Sequence, residues 1–491
     1  MNDNNNEDNL IENNEINNLA INTSGRPTKA VQFGHNEENE GEEQIKEIIE
    51  DKDVKLSPYR FVIVILFFLL NFVNGMHWIT FASCAAKFGK FYHLSNLGVD
   101  SLSIIFMFLY ILTNFPCSWF IDKISMKWGL IISDVSIILG SIIKIFLNKG
   151  IAFAYIGQIL TGLFQPAILN SPAKIAATWF NEKSRVIVTS ICCLSNTIGI
   201  MFGFIIHTFN IDENTVNPKI FKRDFRTYII VEAGITFIAG LLFIIFIREK
   251  PEHPPSLSKK SENRNQSFLE GIKKLKDDTN FIYLCISLSC IVGYVNMFAT
   301  VFNSYMALYK ISDMSASYIS AISNIFGMLT AFIVAKIIDT YKIYKKAIII
   351  CNISALIFNF ITMFLVECIK SKYLYIIAGI GYTLVIASAI PIYTSGMDLV
   401  CEFTYGIGES TSDGVIMLGN QLVGIIGIVI SALLRSYVKK IKWLTNAFGT
   451  LLFLISLFFL AKCKEDLKRT NTDRNKEQNI ENEVKIKEKD N

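Results

Sequence analysis

Twelve times along this chain, an apolar run of roughly 18 or more residues is closed by a short polar interval. The runs fall near 60–86, 99–121, 128–147, 151–173, 186–209, 227–247, 281–308, 315–338, 347–368, 373–396, 411–435 and 443–461. Each is long enough, as a helix, to cross a hydrocarbon core of about 30 Å. The longest polar interruption, EKPEHPPSLSKKSENRNQSFLEGIKKLKDD, lies between the sixth and the seventh. The pattern predicts an all-α polytopic membrane protein of twelve transmembrane helices, six on either side of a central loop. The predicted parts are a tail over 1–57, a first bundle over 58–248, a loop over 249–280, a second bundle over 281–461 and a tail over 462–491.

Composition agrees with that pattern. Of 491 residues, 51% are hydrophobic and 38 are Phe, with a mean hydropathy of +0.39. The first tail is different material: MNDNNNEDNLIENNEINN and then EENEGEEQ are polar, acidic and Asn-rich, a composition expected to be disordered. It lacks the basic stretch and short apolar core of a cleaved leader. The second tail is charged and expected to be loose. The net charge of +4 is too small to argue for nucleic acid. The ten cysteines are scattered, with Cys192 and Cys193 adjacent and no CxxC spacing, so packing rather than disulfide or metal chemistry is expected. No cofactor is called for, and a monomer in contact with lipid and a small-molecule substrate is the expected state.

Lysine and arginine orient the spans. With both termini cytoplasmic, that side holds Lys52, Lys55, Arg60, Lys123, Lys127, Lys183, Arg185, the basic central loop, Lys342, Lys345, Lys346, Lys462 and Lys464. The outer side keeps Lys222, Arg223, Arg226, Lys439 and Lys440, so the bias is moderate. The sequons at Asn22 and Asn265 then face the cytoplasm and are expected to stay unmodified.

The two halves resemble each other. FIDKISMKWGLII at 120–132 follows span 2, and IIDTYKIYKKAII at 337–349 follows span 8; Asp122 and Asp339 stand 217 positions apart. GMHW at 75–78 in span 1 matches GYVN at 293–296 in span 7, with an offset of 218. LSNTIGIMFG at 194–203 in span 5 matches LGNQLVGIIG at 418–427 in span 11, with an offset of 224. Parallel half-repeats with a site between them are the logic of one large transporter class.

These Asp-Lys loops resemble the loop motif of the major facilitator superfamily. More narrowly, 58–460 resembles the feline leukaemia virus subgroup C receptor family. The residues that carry this are NGMHWITF, FPCSWFIDK, GQILTGLFQPAILNSPAKIAATWF, LSNTIGIMFG, IIDTYKIYKK, and EFTYGIGESTSDG followed by NQLVG. The resemblance implies the major facilitator fold of two pseudo-symmetric six-helix bundles. It also implies transport of choline or ethanolamine, with haem movement ascribed to the family as well.

Several polar residues lie inside apolar runs, where each needs a partner or a water-filled cavity. Trp78 is an aromatic face for a cation, which indole attracts by roughly 0.5–2 kcal/mol; interhelical packing is the alternative. The resemblance places an aromatic choline contact there. It implies a second aromatic in span 7, but the aligned position is Asn296, with Tyr294 two residues earlier. Asn296 suits a hydroxyl or a primary ammonium, while Tyr294 has packing as its alternative. Asn74, Asn196, Thr197, Asn420 and Gln421 form an expected polar ring, with interhelical amide bonding as the alternative. Asn74 lies one turn before Trp78 and shares its face. Gln421 stands where the family has a site Gln, and Thr197 departs from another. His77 points about 100° from Trp78 and is read as facing a neighbouring helix, with a protonation switch as the second reading.

Asp122 with Lys123, and Asp339 with Lys342, are gate candidates bridging the halves; topological charge is the alternative. Glu402, Tyr405 and Glu409 take the same closing role by resemblance. Asp134, Lys144 and Glu232 are ionisable in or near spans, with Lys144 and Glu232 expected to snorkel toward an interface. No GxxxxGKS, HExxH or GxSxG is present, so an enzyme or ATP-driven pump is not expected. Two alternatives to a choline or ethanolamine carrier remain. One is a haem carrier using His93 or His207. The other is a receptor or scaffold that binds partners through its Asn-rich tail.

Overall fold

The computed structural model describes residues 57–180, 182–211, 215–252, 268–369, 373–404, 409–437 and 442–468, and structural statements here refer to them. Outside them lie 1–56 and 469–491, the middle of the central loop, both sequons, Tyr405, Lys52, Lys55, Lys439 and Lys440, and the side chains of Lys183, Arg185, Asp339 and Glu409.

Twelve helices among the described residues are long and apolar enough to cross a membrane. Spans 1 to 6 are Tyr59–Ile79, Asn96–Lys123, Met126–Lys144, Ala152–Leu169, Ile187–Phe209 and Pro218–Phe246. Spans 7 to 12 are Thr279–Ala307, Asp313–Ile338, Tyr344–Cys368, Leu374–Met397, Ser412–Ser436 and Leu444–Lys462. Helices suit such sequences because every interior N–H and C=O is satisfied within the segment.

Packing repeats between the halves. Span 1 packs on spans 5 and 6, span 2 on span 4, and span 3 on spans 4 and 6. Each pair has its counterpart: span 7 on spans 11 and 12, span 8 on span 10, span 9 on spans 10 and 12. Across the halves, span 2 meets span 11 and span 5 meets span 8, pairs that a two-fold axis interchanges.

The caps repeat too. Ser95 accepts from Gly98 N at 3.1 Å and opens span 2; Ser312 accepts from Ser315 N at 3.2 Å and opens span 8. These serines are 217 positions apart, the offset of the Asp loops. Glu249, after span 6, accepts from Met126 N at 3.0 Å and Lys127 N at 2.9 Å, at the start of span 3. Glu465, after span 12, accepts from Lys345 N at 3.1 Å at the start of span 9. A carboxylate there meets free N–H groups and the positive end of the helix dipole.

Three boundaries differ from the pattern. Span 1 stops at Ile79, is followed by a 3-10 turn over Ala82–Cys84, and then by helix α1, Ala85–Tyr92. The Ser83 carbonyl accepts from Asn303 Nδ2 and from Ser317 Oγ at 3.0 Å, both in the second half. Side chains of spans 7 and 8 thus bond a carbonyl that a continuing helix would use. Span 6 starts at Pro218, earlier than its apolar run, because Phe221 and Phe225 bury against Phe91 and Phe88 of α1. The central loop holds a helix, α2, Phe268–Asp277, anchored by buried Leu275.

Candidate functional site

The matched motifs meet where helices cross. A Cβ at Gly75 would strike the Asn196 carbonyl of span 5, and one at Gly293 would strike Val423 of span 11. The repeated glycines of GMHW and GYVN thus allow span 1 onto span 5 and span 7 onto span 11, a close approach between helix backbones. Asn71 Nδ2 donates to Cys192 O at 2.9 Å, and Asn196 Nδ2 donates to Asn71 Oδ1 at 3.1 Å. Asn196 therefore engages span 1 of its own half.

Trp78 sits between the halves. It packs against a buried cluster made chiefly of second-half residues, with Met107 of span 2 among them, and against the first-half cluster of Ile79, Ala82 and Phe204. Ser103 Oγ of span 2 donates to its carbonyl at 3.5 Å. Gly424 of span 11 lies against Met107 of span 2 and Asn296 of span 7. Asn420 and Gln421 lie one turn before Gly424, on the same side of span 11. Four atoms of this group are buried with no hydrogen-bond partner among the described residues: the oxygens Asn74 Oδ1, Asn420 Oδ1 and Gln421 Oε1, and the donor Trp78 Nε1. Buried polar atoms are normally paired, and an unpaired one costs roughly 1–3 kcal/mol. Thr197 and Asn296 are half-buried.

Tyr294 is not brought to this group. Its hydroxyl donates to Asn359 Oδ1 at 3.2 Å, and its ring lies 4.7 Å from Phe453 and 5.7 Å from Phe298. It is fully buried in the second bundle. Two residues turn a helix by about 200°, so placing Asn296 against span 11 turns Tyr294 inward.

Of the gate candidates, Asp122 pairs within its own half. Asp122 Oδ1 accepts from Lys174 Nζ at 2.8 Å, and that lysine also donates to Ile121 O at 2.6 Å. Lys174 belongs to the helix over Pro172–Trp179 in the same half, so this bond ties the end of span 2 to the helix that follows span 4, within one half. Lys123 and Lys342 are exposed; Lys342 ends the span 8 helix with φ 52°. Glu402 is buried at the end of the span 10 helix.

Bonds between the halves lie elsewhere. Asp100 of span 2 and Arg435 of span 11 form a buried ion pair, each side chain 1% exposed. Asp313, opening span 8, accepts from Lys87 N of α1 at 3.0 Å. With the Ser83 bonds, these cluster on the face opposite the start of span 1 and the end of span 12. Toward the other face, Asn114 Nδ2 of span 2 donates to Gly414 O of span 11 at 3.3 Å. Asn114 Oδ1 in turn accepts from Asn170 Nδ2 at 2.7 Å, and Asn170 Oδ1 accepts from the Tyr110 hydroxyl at 2.7 Å. Asp100 falls inside an apolar run and Arg435 at the end of one. Opposite charges at such positions were the available signal for a pair.

Lys144 and Glu232 do not snorkel. Both are fully buried and meet at His77. Lys144 Nζ lies 3.1 Å from His77 Nδ1, Glu232 Oε1 lies 3.4 Å from the same nitrogen, and His77 Nε2 lies 2.8 Å from Thr236 Oγ1. His77 thus faces spans 3 and 6, away from Trp78. Asp134, also buried, lies against Gly240 of span 6. Of the other two histidines among the described residues, His207 is buried beside Tyr228 and His93 is exposed at the end of α1.

The sequence profile of the Major Facilitator Superfamily matches residues 63–400. The chain is 26% identical over 425 residues to a choline/ethanolamine transporter of Felis catus, FLVCR1, covering 85% of this chain and 74% of that protein. It is 27% identical over 386 residues to the human choline/ethanolamine transporter FLVCR2, covering 76% and 71%. A D-xylose-proton symporter structure superposes with a TM-score of 0.64 at 13% identity, covering 81% of this chain and 97% of that one. The fucose transporter FucP in its outward conformation gives 0.59 at 13%, covering 82% and 98%. The fold, the twelve spans and the profile agree: this multi-pass membrane protein belongs to the major facilitator superfamily of transporters.

Proposed function

We propose that this carrier moves a small hydroxylated ammonium compound, ethanolamine or choline, by alternating access about the group formed by Trp78, Asn74, Asn296, Asn420 and Gln421, with Thr197 beside it. The observation that carries this reading is the set of buried atoms on spans 1 and 11 that have no hydrogen-bond partner among the described residues. Three are acceptor oxygens, which call for a donor. A primary ammonium brings three N–H donors, and a hydroxyl brings one donor together with an acceptor for Trp78 Nε1. The indole face adds attraction for the positive charge. A quaternary ammonium offers these oxygens its hydroxyl alone, so the arrangement favours ethanolamine over choline. The named relatives support the same substrate class. His93 and His207 both lie away from this group, so nothing in it favours haem.

In this reading both chain ends are cytoplasmic, following the lysine and arginine bias, and the face joined by Asp100–Arg435 is the outer one. The two bundles over 58–248 and 281–461 rock against each other, and Asp100–Arg435 and the Ser83 bonds break when the outer face opens. Asp122, Asp339, Lys123, Lys342, Glu402 and Glu409 lie toward the cytoplasmic end, where they tune the opposite gate. The test is uptake of radiolabelled ethanolamine, choline and haem by proteoliposomes with and without the protein. Protein-dependent uptake of ethanolamine, with choline weaker, is expected; haem uptake without either amine would overturn the reading.

A further inference from the structure

A buried cluster lies behind Trp78, outside the group proposed above to hold the substrate. His77, Thr80, Lys144, Glu232 and Thr236 are each 0% exposed, and they come from spans 1, 3 and 6 and the residue that follows span 1. Their hydrogen atoms can be assigned. Lys144 Nζ has only donors to offer, so the neutral His77 ring carries its hydrogen on Nε2 and donates it to Thr236 Oγ1 at 2.8 Å, while Thr236 Oγ1 donates to Glu232 O at 2.8 Å. Nδ1 of the neutral ring is then an acceptor, which Lys144 Nζ serves at 3.1 Å.

Thr80 decides the rest. Its hydroxyl has one hydrogen and two acceptors in reach, Glu232 Oε1 at 2.6 Å and His77 O at 3.0 Å. With Glu232 ionised, Thr80 donates to Oε1. With Glu232 protonated, the carboxyl donates to Thr80 Oγ1, and Thr80 turns its hydrogen to His77 O. The same heavy-atom positions therefore accept two hydrogen-bond arrangements that differ by one proton. The first is neutral overall, Lys144 against Glu232; the second carries a net positive charge.

Other titratable groups face the cluster from the elements packed around it. Span 6 adds Tyr228, whose hydroxyl donates to Thr80 O at 3.5 Å. Span 3 adds Asp134, farther along the helix against Gly240. The turn after span 1 adds Cys84, and α1 adds Tyr92 against Phe225. Span 5 adds His207, its ring 6.4 Å from that of Tyr228. Span 4 presents Gly157 to the Lys144 stem. Glu232 is thus the carboxylate in hydrogen-bond contact with Thr80, and its Oε2 has no partner among the described residues.

We propose that Glu232, framed by Thr80, His77 and Lys144, is a proton site that competes with the cationic cargo, so that the carrier exchanges an organic cation for a proton. The competition rests on the function proposed above; the proton site itself does not. His77 and Trp78 are neighbours on span 1, with side chains ending within roughly 10–12 Å of each other. A second positive charge at that separation, at an effective dielectric of about 20, weakens cation binding roughly tenfold. The proton taken up by Glu232 leaves when cargo binds, and no other bond is made or broken.

Two measurements on the purified full chain decide this, at about pH 5.5 and about pH 8. The first is hydrogen–deuterium exchange without cargo, corrected for the intrinsic pH dependence of exchange. Peptides covering 59–92 and 218–246 are expected to change protection between the two pH values, and to lose that change in Glu232→Gln, with Thr80→Val as a second variant. Protection that does not respond to pH overturns the proton site. The second is ethanolamine binding, expected to be roughly tenfold weaker at the lower pH in the parent and pH-independent in Glu232→Gln. Equal affinity at both values overturns the competition while leaving the ethanolamine site standing. Absence of ethanolamine and choline binding at either pH defeats the proposed function and with it the exchange, and the first measurement then decides the proton site alone.

Discussion

Asp100 of span 2 and Arg435 of span 11 pair across the two halves, buried and 335 positions apart in the chain. Removing one partner of such a pair leaves a buried charge unmatched, at a cost of roughly 3–5 kcal/mol. Asp100→Asn is therefore expected to favour opening of this face. A cysteine placed at Ser103, beside Trp78, should react faster with a membrane-impermeant thiol reagent in Asp100→Asn than in the parent. The swap Asp100→Arg with Arg435→Asp should restore slow labelling. Equal labelling rates in all three proteins would remove the pair from any gating role.

In the proposed function, Asn296 sets the preference between the two amines. Where the resembled family has an aromatic in span 7, this chain presents an amide against Gly424. Asn296→Tyr is expected to shift the ratio of choline to ethanolamine affinity toward choline by roughly 2- to 30-fold, the span of one cation–aromatic contact. Equilibrium binding of both amines to parent and variant gives the ratio. A ratio that stays fixed would place Asn296 outside the site.

Gly75 is a packing residue with a direct consequence for span 1. Any Cβ there meets the Asn196 carbonyl, so Gly75→Val should lower the thermal unfolding midpoint in detergent, at a cost of about 1–3 kcal/mol. The same change at Gly234, where a Cβ meets nothing within 4 Å, should leave the midpoint near the parent value. Matching effects at the two positions would mean that the span 1–span 5 crossing does not depend on Gly75.

Asp122 and Lys174 form a half-exposed pair within one bundle. Such pairs contribute roughly 0.2–1 kcal/mol. A double-mutant cycle with Asp122→Asn and Lys174→Met should give a coupling of that size in stability and leave amine affinity unchanged. Turnover should slow more than binding weakens, since the pair lies far from the ring. A collapse in affinity would place Asp122 at the substrate instead.

The helices were legible because hydrocarbon imposes one rule on every span: apolar outside, backbone satisfied inside. Span limits from the apolar pattern fall within a few residues of most observed ends. The exceptions are instructive. Span 1 ends early because Asn303 and Ser317, over 200 positions away, bond the Ser83 carbonyl. Span 6 begins early because Phe221 and Phe225 have α1 to bury against. Neither cause is local. The half-repeats pointed to spans 1, 5, 7 and 11, and the structure adds why: the glycines of two motifs are helix crossings. Trp78, Asn74, Asn420 and Gln421 were readable one at a time as polar groups out of place. What single positions could not reveal was pairing. His77, Lys144 and Glu232 each stood out, yet their meeting depends on how spans 1, 3 and 6 pack. Asp100 and Arg435 look like ordinary end charges until the halves are brought together.

The measurement closest to the central claim is a binding titration of ethanolamine and of choline against the parent, Trp78→Ala and Trp78→Phe. In the proposed function Trp78 supplies the aromatic face for the cation, so its loss should weaken binding by about 1–2 kcal/mol, or roughly 5- to 30-fold, with Phe recovering part of that. The parent should bind ethanolamine more tightly than choline. A folded Trp78→Ala protein that binds both amines as the parent does would contradict the account, and Trp78 would be a packing residue.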